Sequence, residues 1–222
     1  MSTSGPVALP SPALCLVTDR RLNQGTSLPI QVEAALEGGV NMVQLREKDL
    51  SAGELLTLAE AIRDVASKAH ALFLVNDRVD VALAVGADGV ELGEEAMPVQ
   101  AVRRIAGRRL LIGRSVHSLD GAREAEAHGA DFLVVGTIFP TMSKPGTPPV
   151  GLKLLAQVRQ SVNIPFLAIG GINAINVAQV IAQGAAGVAV ISAILGSASP
   201  RNAARELKEA MAAVKPSASP AR

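Results

Sequence analysis

Gln44, Arg46 and Lys48 alternate along the stretch VQLREK. In an extended segment, alternation turns all three side chains to one face. A further cation, Lys144, stands in TMSKPG beside the hydroxyls of Thr141 and Ser143. Three cations with hydroxyls around one mouth suit a polyphosphate, because charge-assisted hydrogen bonds to phosphate oxygens are strong. The competing reading pairs Arg46 and Lys48 with their neighbours Glu47 and Asp49. Asn76 and Asp77 follow the apolar run LFLV directly. Beside a polyphosphate, one carboxylate suggests Mg2+, which takes one or two carboxylates plus phosphate oxygens and waters. Asp77 could equally cap the helix that follows. Finally, AIGGI and AVISAI, carrying Gly171, Ile191 and Ser192, each end an apolar run just before a helical pattern. Glycines let the backbone approach an anion, and free N–H groups at a helix start hold it. A tight turn at Gly170–Gly171 is the plainer alternative.

These residues need a scaffold that brings strand ends together. The phrases EGGVNMVQL, VGADGVEL, HGADFLVV and QGAAGVAVI repeat one plan: a helical pattern, a glycine, then an apolar run. Glycine there suits a left-handed helix end, and the run suits a strand buried on both faces. With LCLVT, LFLV, LLIG and PFLAI, this predicts eight strands starting near Leu14, Val40, Leu72, Gly89, Leu110, Phe132, Pro165 and Gly187. Helices are predicted over Pro29–Glu37, Ser51–Ala69, Val79–Val85, Val99–Ala106, Leu119–His128, Leu152–Ser161, Asn176–Gln183 and Pro200–Val214. Ser51 with Glu54 reads as a capping box. Strict alternation implies a parallel sheet, and eight units imply a single (β/α)8 TIM barrel of the α/β class, spanning 14–214. An open doubly wound sheet is second; it calls for a Gly-x-Gly-x-x-Gly after an early strand, which is absent. Residues 1–13 and 215–222 read as flexible tails. The loop from Gly136 to Gly151, bracketed by Pro and Gly, is long enough to be a lid.

Composition narrows the partners. The 222 residues are 49% hydrophobic, enough for one sizeable core, and the formal net charge of +1 gives no field to draw in nucleic acid. The arginines at 103, 104, 108 and 109 read as a solvated helix face. Cys15 is alone in an apolar run, so no disulfide framework exists and a buried thiol is expected. The start lacks the pattern of a signal peptide, and no apolar run is long enough for a membrane span. A soluble cytoplasmic protein acting on small phosphorylated molecules is expected, with homo-oligomerisation left open.

In order along the chain, VQLREK, VNDRVDVALAVGADGV, GRSVHS, GTIFPTMSKPG, LAIGGI and GVAVISAI resemble the thiamine phosphate synthase family, which includes related thiazole tautomerases. The likeness runs from about Leu14 to Met211. It implies a (β/α)8 barrel that joins hydroxymethylpyrimidine diphosphate to a thiazole phosphate, or its carboxylated form. The route implied is dissociative: pyrophosphate leaves with Mg2+, and the thiazole nitrogen captures the resulting cation. Carried over by position, Arg46, Lys48, Asn76 and Lys144 bind the diphosphate and Asp77 binds Mg2+. Gln44, Ser115, Thr141 and Ser143 line the pyrimidine and diphosphate pocket. Gly171, Ile191 and Ser192 hold the thiazole phosphate. Lys144, Ser115 and His117 are the candidates for the catalytic groups.

One segment departs from the pattern. Where the synthases usually read His-Leu-Gly-Gln-Glu-Asp, this chain has Glu91-Leu92-Gly93-Glu94-Glu95-Ala96, so Ala96 stands at the second Mg2+ ligand. A weakened Mg2+ site follows, unless Glu94 or Glu95 reaches in. The departure keeps a tautomerase in view: a metal-free isomerase that aromatises a carboxythiazole phosphate, with His117 as acid and base. A barrel that binds a phosphate ligand without turnover is the third reading. As a lone residue, His117 could also serve only for orientation or packing.

Overall fold

The computed structural model describes residues 8–22, 25–141, 146 and 148–214. The eight apolar runs form strands β1 (Ala13–Val17), β2 (Met42–Leu45), β3 (Leu72–Asn76), β4 (Gly89–Leu92), β5 (Leu111–Val116), β6 (Phe132–Gly136), β7 (Phe166–Ile169) and β8 (Gly187–Val190). Each pairs in parallel with the next, and β8 pairs with β1. Closure of the sheet removes the open, doubly wound alternative. The chain is a (β/α)8 barrel.

Helices α1 (Leu28–Glu37), α2 (Ala52–Lys68), α3 (Val79–Ala84), α4 (Val99–Ala106), α5 (Leu119–Ala127), α6 (Gly151–Ser161) and α7 (Val177–Ala182) fill the first seven crossovers. After β8 come α8 (Ser192–Leu195) and α9 (Pro200–Ala212). The four-residue α8 was not predicted; it is too short to show an apolar period. Ser51 caps α2 as its sequence implies: the Glu54 amide donates to Ser51 Oγ at 3.4 Å, and the Ser51 amide donates to Glu54 Oε2 at 3.0 Å.

Residues on the strands alternate between two cores. Leu16, Phe73, Val90, Ile112 and Leu133 face outward and pack with the helices. Cys15, Met42, Leu74, Phe132 and Leu167 fill the barrel interior. Phe132 reaches across to β5, where a Cβ at Gly113 would run into its ring. So the interior is packed at the bottom, and its cavity lies toward the carboxyl ends of the strands. Leu9 packs against the inner cluster, and Asn41 Nδ2 donates to the Pro12 carbonyl at 2.9 Å. The segment just before β1 therefore seals the barrel and is not a free tail. The remaining tail predictions, 1–7 and 215–222, lie outside the described residues.

The repeated phrase carries a second device, in the polar residue after its glycine. Asn41 Oδ1 accepts from the Leu14 amide at 2.8 Å, Asp88 Oδ2 from the Phe73 amide at 2.8 Å, and Asp131 Oδ2 from the Ile112 amide at 2.7 Å. Each ties the foot of one strand to the start of its neighbour. Arg63 and Arg103 neutralise the two aspartates, both through Oδ2, at 2.7 and 2.6 Å. Arg103 thus braces the barrel foot, which corrects the reading of all four arginines as a solvated face.

Candidate active site

The carboxyl ends of the strands surround a cavity of about 540 Å³. Period-two alternation decides what faces it. On β2 to β5 the upper inward positions are Gln44, Asn76, Glu91 and Ser115, and the register places Asn76 beside Glu91. They form one buried network. Gln44 Nε2 donates to Asn76 Oδ1 at 2.9 Å and to Glu91 Oε2 at 3.2 Å, while Ser115 Oγ donates to Glu91 Oε1 at 2.8 Å. Burial pushes the Glu91 carboxyl up to about 7; the Ser115 hydrogen bond opposes this and the nearby Asp77 charge adds to it. Burial likewise raises the pKa of the Cys15 thiol beneath it, with help from Glu91. The buried thiol expected at Cys15 is present.

Above the network lie the charged residues. Arg46 and Lys48 both line the cavity. The expected competitors for them are engaged elsewhere: Arg20 binds Glu47 at 3.1 Å and Asp49 at 2.6 Å. Glu47 is itself buried, accepting from the Thr18 hydroxyl at 2.7 Å, and Thr18 Oγ1 accepts from the Arg46 amide at 2.9 Å. This knot fixes the backbone that carries Arg46 and leaves its guanidinium to the cavity.

Asp77 does not cap α3, whose N-cap is Arg78. It sits in the left-handed region, with φ of 58°, where Asp is tolerated better than most residues. That turn swings its carboxylate over the mouth. Oδ1 accepts from the Gly93 amide at 2.8 Å, and Oδ2 lies 3.8 Å from Lys48 Nζ. Glu94 and Glu95 also line the cavity, and Arg114 holds their loop by donating to the carbonyls of Gly93 and Glu94 at 2.7 and 3.2 Å. Ala96 is half-buried against the outer core. Among the described residues, no three His, Cys, Asp or Glu side chains are grouped to hold a metal. Asp77 alone fits Mg2+ only if a ligand's phosphate oxygens complete the shell.

The opposite side of the mouth is made of backbone. Gly170 and Gly171 have φ of 105° and 63°, and a Cβ on Gly171 would meet Pro140 and Phe139. Asn176 Nδ2 donates to the Gly171 carbonyl at 2.9 Å, holding the turn. Ile191, Ser192 and Ala193 line the cavity at the start of α8, where the first N–H groups of a helix have no acceptor within it. The structure therefore brings Gln44, Arg46, Lys48, Asn76, Asp77, Ser115, Thr141, Gly171, Ile191 and Ser192 to one cavity. It does not bring His117 there: that side chain stands exposed on the rim, with Nδ1 2.7 Å from Glu94 Oε1. Ser143, Lys144 and part of the expected lid, residues 142–145 and 147, lie outside the described residues. The sequence reading missed Glu91 as a site residue, although its strand parity matches that of Gln44 and Ser115.

Fold and mouth define a class: a (β/α)8 barrel whose rim carries basic side chains on one side of its cavity and a glycine turn with a helix start on the other. The comparisons name the family. The model for thiamine monophosphate synthase matches residues 14–194. The chain is 44% identical over 212 residues to a thiamine-phosphate synthase of Roseiflexus, covering 94% of this chain and 90% of that one. It is 50% identical over 196 residues to a putative thiamine-phosphate synthase of Geobacter sulfurreducens, covering 88% and 92%. Among solved structures, a thiamine phosphate pyrophosphorylase from Pyrococcus furiosus superposes with a TM-score of 0.83 at 43% identity, covering 90% of this chain and 95% of that one. The chain belongs to the thiamine monophosphate synthase family. A 3-hexulose-6-phosphate synthase, at 20% identity and a TM-score of 0.69, shares the fold. Among the described residues no helix is long and apolar enough to cross a membrane.

Proposed function

We propose that this protein is a thiamine-phosphate synthase, a transferase that condenses hydroxymethylpyrimidine diphosphate with hydroxyethylthiazole phosphate and releases pyrophosphate. The observation that carries this is the single cavity with Arg46, Lys48 and Asp77 on one side and Gly171 and Ser192 on the other. One bound molecule must lose a diphosphate and the other must keep its phosphate, and the two sides differ accordingly.

The reaction asks little covalent chemistry of the protein. The bond between the pyrimidine methylene carbon and the diphosphate oxygen breaks, and the electron pair leaves with pyrophosphate. The lone pair of the thiazole nitrogen then forms the C–N bond. Arg46 and Lys48 stabilise the charge that develops on the departing oxygens, and Asn76 binds the same group. The glycine turn and the start of α8 hold the thiazole phosphate so that its ring nitrogen faces the carbon. The packed barrel floor keeps bulk water from the cation. Asp77 is the residue that would hold Mg2+ together with the diphosphate, and the ion would supply neutralising charge for the leaving group. With Ala96 in place of a second acid, that site depends on the ligand's own oxygens. Lys144 and Ser143, on the loop beyond Thr141, are assigned to the diphosphate from the family pattern alone.

The relatives named above are synthases, and neither the tautomerase nor the non-catalytic reading draws support from them. His117, exposed on the rim and paired there with Glu94, gives no reason to invoke an isomerase. The test is direct. Purified protein with both substrates and Mg2+ should form thiamine phosphate and pyrophosphate in equal amounts, read by chromatography. No product at any Mg2+ concentration would reject the synthase.

A further inference from the structure

One buried acid has no part in the steps above. Glu91 is 2% exposed and still lines the cavity. An acid in such a place needs hydrogen bonds, and it has one on each oxygen, from Ser115 and from Gln44. Each carboxyl oxygen can accept a second. The two donors bound to it are already committed. The Ser115 hydroxyl hydrogen goes to Glu91, and the Gln44 amide nitrogen serves both Asn76 and Glu91. When Glu91 is ionised it only accepts, and Gln44 then turns its amide nitrogen toward it, the 3.2 Å contact described above. At this depth, Gln44, Glu91 and Ser115 offer acceptors to whatever enters.

Such a floor selects for a ligand edge that donates. Resting on the synthase reading, the group lying beside it is the pyrimidine, joined by one methylene to the diphosphate held at Arg46 and Lys48. Its exocyclic amino group is a two-hydrogen donor. An oxo group at the same carbon would turn a lone pair toward the same oxygens. We propose that Glu91 is a specificity-determining residue that accepts a hydrogen bond from the pyrimidine amino group and excludes oxo-pyrimidines. Sites that hydrogen-bond a substrate group discriminate strongly against analogues that leave the buried partner unmatched.

The test compares, at about pH 8, where Glu91 is mostly ionised, two competitive inhibitors of the diphosphate substrate: the amino and the oxo forms of hydroxymethylpyrimidine monophosphate. The wild-type protein should bind the amino form at least about tenfold more tightly. Glu91→Gln, which can turn an amide N–H to the ligand, should lower that ratio by about tenfold or more. Equal loss of affinity for both inhibitors in Glu91→Gln overturns the inference, because Glu91 would then only support Gln44. Equal affinity of the wild-type protein for the two forms overturns it whether or not the variant folds, which circular dichroism checks. Failure of the wild-type protein to form thiamine phosphate would instead remove the synthase reading beneath it.

Discussion

The two sides of the barrel mouth offer an anion different groups, side chains on one and main chain on the other. On β2 to β5 the upper inward positions are Gln44, Asn76, Glu91 and Ser115, with Arg46, Lys48 and Asp77 above them. On β6 to β8 the corresponding positions are Val134, Gly136, Ile169, Ala189 and Ile191, and the polar groups come from main chain at Gly170, Gly171 and Ser192. Side-chain cations can meet charge that grows as a bond breaks. Backbone amides in a fixed turn hold a charge that stays constant. On the proposed function, the chemistry that changes sits on one half of the barrel and the anchoring on the other, and each half should fail in its own way.

The largest expected failure is on the cationic half. Arg46→Ala should lower kcat/KM for the pyrimidine diphosphate by about 10²- to 10³-fold, the usual cost of removing one donor that meets transition-state charge. The KM for thiazole phosphate should stay within about twofold, since that ligand is held elsewhere. A parallel rise in both KM values would break the division into two halves.

The same half should make stability depend on pH. The Glu91 carboxyl is pushed up to about 7 from 4.5, chiefly by burial. The folded protein then holds this proton more tightly than the unfolded chain. Stability from this group is complete below about pH 4.5 and is lost as pH rises through 7, to an extent on the order of 3 kcal/mol. Denaturant unfolding of metal-free protein at pH 5 and pH 8 reads the difference, and Glu91→Gln should remove most of it. An unchanged pH dependence in the variant would assign the effect to other groups.

How much of this was legible in the sequence also differs between the halves. Gly171 and Ser192 could be read directly, because local spacing alone puts them after apolar runs and before helices. The eight strands were readable for the same reason: burial on both faces leaves continuous apolar runs with glycine before them. The partners of the polar half were not readable. Spacing gives parity along one strand, but it does not give the register that sets Asn76 beside Glu91. Nor does it reveal that Arg20, from the end of β1, occupies Glu47 and Asp49 and so leaves Arg46 to the cavity. Asp77 left two readings open because its left-handed backbone has no sequence signal beyond tolerance for Asp. The repeated phrase shows its glycine but not the role of Asn41, Asp88 and Asp131 two residues later. Their partners are amides on a neighbouring strand.

On the backbone half the expected effects are smaller and of another kind. Gly171→Ala places a Cβ against Pro140 and Phe139 at a φ of 63° that suits glycine. The turn should shift, raising KM for thiazole phosphate by about tenfold while KM for the diphosphate changes little. A fall in kcat with both KM values preserved would mean that the turn takes part in the bond-breaking step, and the two halves would not be separate.

The smallest change expected sharpens the comparison at the metal. Asp77 lies on the side-chain half with one oxygen bound by the Gly93 amide, and Ala96 offers no second acid. Ala96 packs against the outer core, so the new carboxylate of Ala96→Asp must turn to the mouth; affinity for a divalent ion rises with the number of charged ligands, and the Mg2+ concentration giving half-maximal rate should then fall by about three- to tenfold. The effect is modest because the diphosphate brings its own oxygens to the ion. It should also vanish when Mn2+ binding to the variant is measured after Asp77→Asn is added, since one new carboxylate alone rebuilds nothing. If Ala96→Asp leaves the Mg2+ dependence unchanged, the ion is carried by the diphosphate and Asp77 without help from the β4 loop. The cationic side would then give the ion Asp77 alone, and the ligand would complete its shell.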